Sequence, residues 1–237
     1  MIMASERGTI LRAAIGIGFY AAAFGASFAA VSVTSGLSVG QTMVLSLVMF
    51  SGASQFAFVG VIAAGGSPFA AVPAALLLGV RNAFYGVPMS EILHPRGVRR
   101  LITAHFVIDE TTAMAVGQET PAGKRYAFWM TGLILCAFWQ LGSLVGALVG
   151  RAIDPKTFGL DAASPAIYLA LMWPALKRVE ARWVALTGAV IALALVPIAP
   201  PGVPVIAAAG AALVGGLLPQ RTENKDTDPA AATEGAA

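Results

Sequence analysis

Residues 50–58 read FSGASQFAF, and four of them, Ser51, Gly52, Ser54 and Gln55, interrupt an otherwise apolar segment. They lie within residues 13–80, a stretch without any Lys, Arg, Asp, Glu or His. Glycine and hydroxyl residues at such a place favour a helix break. Non-helical backbone in the middle of a membrane segment is tolerated only where it is buried in protein or faces a wet cavity. We therefore predict a broken helix here.

The whole chain has the composition of a helical membrane protein. Of its 237 residues, 57% are hydrophobic and 11% are charged, and the mean hydropathy is +0.78. A soluble chain carries about 25% charged residues. The apolar runs are continuous, whereas barrel strands alternate in segments of about ten residues. The net charge of +3 comes from short basic clusters between apolar runs, which indicates topology in a lipid bilayer rather than nucleic-acid binding.

The predicted fold class is an all-α, polytopic integral membrane helical bundle of about seven spans (six to eight), with at least one broken or re-entrant helix. Residues 1–219 form the membrane permease domain, and residues 220–237 are a disordered polar tail. The candidate spans are 10–33, 39–64, 68–93, 126–150, 161–176, 183–199 and 203–218.

The charge bias predicts which side the termini occupy. Lys124 and Arg125 fit the cytoplasmic side, and so does the basic run at 177–182 after two more crossings. The last two candidate spans then return the C-terminal tail to the same side. Both termini are predicted to be cytoplasmic.

The first half of the chain leaves two topologies open. With the N-terminal arginines inside, three full crossings would place the basic run HPRGVRR, residues 94–100, outside, against the positive-inside rule. Either 101–117 crosses and the rule is broken once, or 39–64 or 68–93 re-enters without crossing. Both of these segments contain helix breakers, SGAS at 51–54 in the first and Pro73, Gly79 and Gly86 in the second.

Arg81, in LLLGVRNAFY at residues 76–85, is the ionisable residue that most needs an explanation. Counted along its helix, it lies on the order of 20 Å into the segment, past the middle of a hydrocarbon core about 30 Å thick. Its guanidinium needs a partner or water at that depth. Asp109 and Glu110, in VIDETTAM at 107–114, are the obvious counter-charges. The charges indicate either a transport pathway or a structural ion pair between two helices.

The polar residues at 51–55 also have two interpretations. Transporters use helix breaks to bind the carboxylate and ammonium of a zwitterionic substrate. Alternatively, small residues let helices pack closely, with Gln55 as a hydrogen bond between them. Together with Arg81 we predict that they form one site. The glycines of GSLVGALVG, residues 142–150, form a separate ladder that predicts contact with a neighbouring helix or a partner subunit.

The sequence predicts neither a cofactor nor an enzyme. Two histidines and one cysteine do not make a metal cluster of normal spacing, and nothing resembles a phosphate loop or a dinucleotide motif. An intramembrane serine protease that uses Ser54 and His105 is an alternative, but GASQF lacks the last glycine of a G-x-S-x-G elbow.

At these motifs the chain resembles the AzlC family of branched-chain amino acid exporters. The family pattern is SGxxQF, then D-x-R-H-x-LYG, then DE-x-xA. Gly79 and Asn82 replace the aspartate and the histidine of the second motif, which puts a proton-coupling role of these two positions in doubt. The matching positions are Ser51, Gly52, Gln55, Phe56, Arg81, Tyr85, Gly86, Asp109, Glu110 and Ala113.

The resemblance implies a secondary transporter of the bacterial inner membrane, with a small AzlD-type membrane subunit as its partner. Its substrates would be leucine, isoleucine and valine, and in some members methionine. We expect Arg81 to receive the substrate carboxylate with the backbone at 51–55, and Asp109 and Glu110 to receive the ammonium or to compete for Arg81. Asn82 and Tyr85 belong to the same candidate site, and Phe56, Phe58 and Leu78 are its expected apolar walls. A permease for another small amphipathic solute and a non-transporting membrane scaffold are the alternatives.

Overall fold

The computed structural model describes residues 3–152, 175–177 and 179–200, with residues 169, 173, 203–204, 206–208 and 210. The described part consists of helices and turns, which confirms the all-α prediction. The helices are α1 (Ala4–Thr34), α2 (Val39–Val48), α3 (Gly52–Ala63), α4 (Pro68–Leu93), α5 (Val98–His105), α6 (Asp109–Val116), α7 (Pro121–Ala152) and α8 (Val179–Leu195), with a 3-10 turn at Ala175–Lys177.

Three of the described helices, α1, α4 and α7, are long and apolar enough to cross a membrane. They have 31, 26 and 32 residues, whereas α2 and α3 have only 10 and 12. At about 1.5 Å per residue, neither short helix spans a hydrocarbon core of about 30 Å. The prediction of about seven spans is not confirmed. Of the other candidate spans, 183–199 overlaps α8, while 161–176 and 203–218 lie largely outside the described residues. The predicted tail at 220–237 lies wholly outside them.

Helices α1 and α7 run parallel and form the centre of the bundle. A Cβ added to Gly142 would lie 2.0 Å from the Ala22 carbonyl oxygen, and one added to Gly146 would lie 2.0 Å from that of Ala26. The residue numbers on α1 and α7 increase in the same direction along this contact, so the two helices are parallel. Their backbones touch because glycine has no side chain. The glycine ladder therefore contacts a neighbouring helix of the same chain.

The two helices share what we call the basic end of the bundle. There the Arg7 guanidinium lies over the Tyr126 ring, 5.7 Å from its centroid, and Lys124 and Arg125 begin α7 beside it. The opposite end, where α1 and α7 finish, is called the far end.

Helices α2 and α3 form the predicted broken segment, with the break at 49–51. Ser38 and Gln41 cap the start of α2 reciprocally, with hydrogen bonds of 2.8 and 3.1 Å. Early in α2, the Thr42 hydroxyl is 2.7 Å from the Ser32 hydroxyl near the far end of α1. Four residues later, the Ser46 hydroxyl donates to the Ser143 hydroxyl of α7 at 3.2 Å. Helix α2 therefore runs from the far end toward the middle of the bundle.

Helix α3 then returns to the far end. Its first residue, Gly52, faces Trp139, halfway along α7, while the Phe56 ring packs edge-on against Phe28, closer to the far end of α1. The α2–α3 pair is thus a re-entrant hairpin. Of the two topologies left open by the charge bias, this path of α2 and α3 agrees with the one in which segment 39–64 re-enters.

Helix α4 crosses the bundle from the far end to the basic end. It starts after the turn at Gly65, whose φ of +84° suits glycine. It finishes beside α7, where the Arg125 Nε donates to the Ile92 carbonyl at 3.2 Å. The predicted breakers Pro73, Gly79 and Gly86 do not end it. Proline within a membrane helix is tolerated because neighbouring groups satisfy the freed carbonyls.

Helices α5 and α6 form a second hairpin, which enters from the basic end. At its tip the Phe50 ring stacks on His105 at 5.6 Å and meets Phe106 at 5.7 Å, so the two hairpin tips touch. Helix α6 returns toward the start of α7, where Gln118 approaches Gly123. Segment 101–117 therefore enters and leaves at the same end of the bundle, and the run 94–100 lies at the basic end, in agreement with the positive-inside rule.

Candidate functional site

A cavity of about 660 Å³ lies where the two hairpin tips meet. From there it extends along α1 to Phe24 and along α3 to Gly60 and Val61, toward the far end. Its polar part is formed by Ser51, Gly52, Arg81, Asp109 and Glu110, and its apolar part includes Tyr20, Phe24, Phe50, Phe56, Leu78, Leu135 and Trp139. The expected walls Phe56 and Leu78 are present, whereas Phe58 packs outside this cavity against Val61 and Ala71.

An ion pair joins α4 to α6 in the wall of this cavity. Arg81 Nη1 lies 2.9 Å from Asp109 Oδ2, and the two side chains are 44% and 37% exposed. The Tyr85 phenol lies close enough to Asp109 to interact with its carboxylate. Within the described residues, Asp109 Oδ1 is buried without a partner. The carboxylate therefore has one oxygen held by Arg81 and one that remains an acceptor.

The turn at 106–108 places Asp109 at the tip of the second hairpin. The Thr111 hydroxyl accepts the Ile108 N–H at 3.1 Å and donates to the Phe106 carbonyl at 2.6 Å. These bonds satisfy the turn locally and fix the direction in which α6 starts. The first two residues of α6 are Asp109 and Glu110, so both acids face the cavity.

Glu110 contributes a second carboxylate to the same cavity. It lies within electrostatic range of Asp109 and Arg81, and of Tyr20 on α1. No ion pair to Glu110 exists in the described part of the chain. With all three groups ionised, the cluster carries two negative charges and one positive charge, which favours binding of a cation.

The start of α3 contributes hydrogen-bond donors at the other side of the cavity. Ser51 precedes α3 with extended backbone, and its side chain makes no cap hydrogen bond. The first N–H groups of a helix have no partner within the helix and carry a partial positive charge. Gly52 and Ala53 line the cavity at this position, so their backbone suits an anionic group.

Four predicted site residues, Ser54, Gln55, Asn82 and Tyr85, are not part of the cavity wall. Gln55 is fully buried, and its Nε2 donates to the Ser46 carbonyl at 3.2 Å and to the Met49 carbonyl. The Ser54 hydroxyl donates to the Ser51 hydroxyl at 3.2 Å. Asn82 has a buried Oδ1 without a partner among the described residues. Gln55 and Ser54 therefore brace the helix break, and His105 stacks on Phe50 rather than pairing with Ser54.

Replacing Gln55 with Leu should destabilise the protein by about 1–3 kcal/mol, because the buried Ser46 carbonyl loses its donor and the Met49 carbonyl keeps only the Ser51 N–H. Thermal unfolding in detergent measures this as a lower Tm. Gln118→Leu is the matched control, since Gln118 follows α6 and its Nε2 bonds to a carbonyl only four residues earlier, that of Met114. Equal stability of the two variants would contradict the bracing role.

Sequence reasoning missed the walls that α1 and α7 supply. Tyr20, Phe24, Leu135 and Trp139 line the cavity, yet each lies in an ordinary apolar run. Only the packing of α1 beside α7 shows which face of each helix turns inward, so no local signal could have identified them.

Comparison with known proteins places the chain in a family. The model of the family described as AzlC protein matches residues 16–153. A membrane protein of Helicobacter pylori is 29% identical over 177 residues, which are 72% of this chain and 77% of that protein. One of Archaeoglobus fulgidus is 30% identical over 197 residues, 81% and 84% of the two chains. The branched-chain amino acid transport protein AzlC of Bacillus subtilis is 23% identical over 155 residues, 65% of this chain and 61% of that protein. No solved structure matches. Because the family model covers more than half of the sequence, this chain belongs to the AzlC family.

Proposed function

We propose that this chain exports branched-chain amino acids across the bacterial inner membrane, as the large subunit of a secondary transporter. Its relative in Bacillus subtilis is named for branched-chain amino acid transport. The small AzlD-type membrane subunit is its proposed partner, and leucine, isoleucine, valine and methionine are its proposed substrates. An ion or proton gradient would drive export.

The observation that carries this proposal is the division of the cavity into three kinds of surface. The excess negative charge of Asp109 and Glu110 suits an ammonium group. The N–H groups at the start of α3, beside Ser51 and Gly52, suit a carboxylate. Aromatic and aliphatic side chains, among them Phe56 and Leu135, suit a branched hydrocarbon. An α-amino acid with an apolar side chain needs these three surfaces together.

Arg81 has a double role in this proposal. A guanidinium has five N–H donors, and the ion pair with Asp109 involves Nη1. Arg81 therefore holds Asp109 while other donors remain for the substrate carboxylate. This arrangement unites the expected role of Arg81 in binding the carboxylate with its pairing to Asp109.

The distribution of charge supports the orientation. The basic end carries Arg7, Lys124, Arg125 and the three arginines of the 94–100 run. At the far end, Arg151 lies in the last turn of α7, and the turns at 35–38 and 64–67 carry no charge, so the excess of positive charge is at the basic end. By the positive-inside rule the basic end is cytoplasmic. The cavity then extends toward the periplasm, and buried Met89, Val107 and Phe128 pack below it.

Counterflow of labelled isoleucine tests the function. We expect vesicles that contain this chain and its small subunit to accumulate label several-fold above empty vesicles, with leucine and valine competing and lysine not. Vesicles with either subunit alone are the control for partner dependence. Uptake of another amphipathic solute with no response to isoleucine would support the alternative permease, and no flux of any solute would support the scaffold.

A further inference from the structure

We propose that a second cavity, between α4 and α5 at the basic end, is the vestibule in which the substrate carboxylate first binds. This inference rests on the proposed transport function. The cavity measures about 350 Å³, and its wall includes Ala83, Gly86 and Ser90 of α4 with Arg100 and Thr103 of α5. It lies at the end opposite to the one toward which the larger cavity extends.

The chemistry of this wall favours a carboxylate. Arg100 brings a positive charge, and none of the described residues that line the cavity is acidic. In the described part of the chain, its guanidinium has no ion pair or hydrogen bond. Thr103 is 5% exposed, and its hydroxyl likewise makes no hydrogen bond to another described residue. A guanidinium with a nearby hydroxyl binds a carboxylate through charge-assisted hydrogen bonds.

The two cavities lie on either side of the tip of the α5–α6 hairpin. Val107 lines the vestibule, while its neighbours in sequence, Ile108 and Asp109, line the larger cavity. A single turn of chain therefore separates them. A substrate that leaves Arg100 and passes this turn would arrive beside the Arg81–Asp109 pair.

The hairpin that forms this barrier is held by little packing on its α5 side. Of the eight residues of α5, only Thr103 is buried, and Val98, Leu101 and Ile102 are more than half exposed. Elements with few buried contacts open at low free-energy cost. Displacement of α5 would connect the vestibule to the larger cavity.

Cysteine labelling tests the vestibule without requiring transport. In a background in which the lone cysteine is removed by Cys136→Ser, Ser90→Cys places a thiol in the vestibule, and Ser67→Cys places one at the other end of α4. In inside-out vesicles of phosphatidylcholine, with the small subunit present, a membrane-impermeant maleimide should label the first and not the second. Isoleucine at about ten times its dissociation constant should slow labelling at position 90 roughly tenfold.

The protection should depend on one arginine. Arg100→Gln should abolish it, whereas Arg99→Gln, which removes the same charge from the same helix without lining the cavity, should leave it intact. Labelling of Ser90→Cys from the opposite face only, or protection that persists in Arg100→Gln, would overturn the proposal.

An anionic lipid headgroup has a chemistry similar to that of the substrate carboxylate. If isoleucine protects nothing in phosphatidylcholine while added anionic lipid does, the site belongs to lipid and the proposal is wrong.

The counterflow assay on the same vesicles separates the vestibule from the transport function. Flux of isoleucine without Arg100-dependent protection contradicts the vestibule alone. Absence of flux of any amino acid contradicts the proposed function, whatever the labelling shows.

Discussion

Arg81→Gln should lower isoleucine export by roughly 30- to 150-fold, since loss of charge-assisted hydrogen bonds costs about 2–3 kcal/mol. The substitution removes the partner of Asp109 and, in the proposed mechanism, a donor to the substrate carboxylate. Arg81→Lys should recover only part of the rate, because a point charge does not reproduce the planar fork. Export from cells that overproduce both subunits, normalised to protein in the membrane, measures the effect. Arg96→Gln, in the turn between α4 and α5, should export normally.

A double variant separates a binding role from a purely structural one. Arg81→Gln combined with Asp109→Asn removes both charges of the ion pair, so neither is left without its partner. If the pair only pins α4 to α6, this variant should regain most of the export that either single variant loses. If the charges bind substrate, the double variant should fold as well as the wild type and still fail to export. Normal export by the double variant would contradict the proposed site and favour a purely structural role of the two charges.

Gly146→Ala should be the most destabilising single-methyl change in the described part of the chain, together with Gly142→Ala. The new Cβ would lie 2.0 Å from the Ala26 carbonyl oxygen, a backbone atom that no rotamer change moves away. Forcing α1 and α7 apart should cost about 3 kcal/mol or more, or roughly 6–12 °C in Tm. Size-exclusion chromatography after heating in detergent measures this loss.

Gly16→Ala is the matched control for this prediction. It lies on α1 as well, and a Cβ there would meet nothing within 4 Å. Alanine has the higher helix propensity, so this variant should be as stable as the wild type or slightly more so. If the Gly146→Ala and Gly16→Ala variants have the same Tm, the close contact between α1 and α7 is wrong.

Much of the site could be predicted because its signals are local. A glycine and hydroxyls in an apolar run identified the break before α3, and charges within apolar segments identified Arg81, Asp109 and Glu110. The same local signals predicted helix breakers at Pro73, Gly79 and Gly86, and this was wrong because α4 continues through all three. They also assigned Gln55 to the site, although its amide is used by the Ser46 and Met49 carbonyls. Polar residues that bind a ligand and polar residues that stabilise a helix break have the same composition, and only their hydrogen-bond partners distinguish them.

The sequence by itself determined that the protein is helical and membrane-embedded, where one helix is broken, and which charges lie at depth. Hydropathy and helix propensity act within about twenty consecutive residues, so these properties can be read along the chain. Only the tertiary structure decided that both hairpins turn back and that Asp109 meets Arg81. The course of α2 is set by contacts such as Ser46 with Ser143, 97 residues apart. After a break either direction satisfies the local chain equally well, and packing against α1 and α7 selects one.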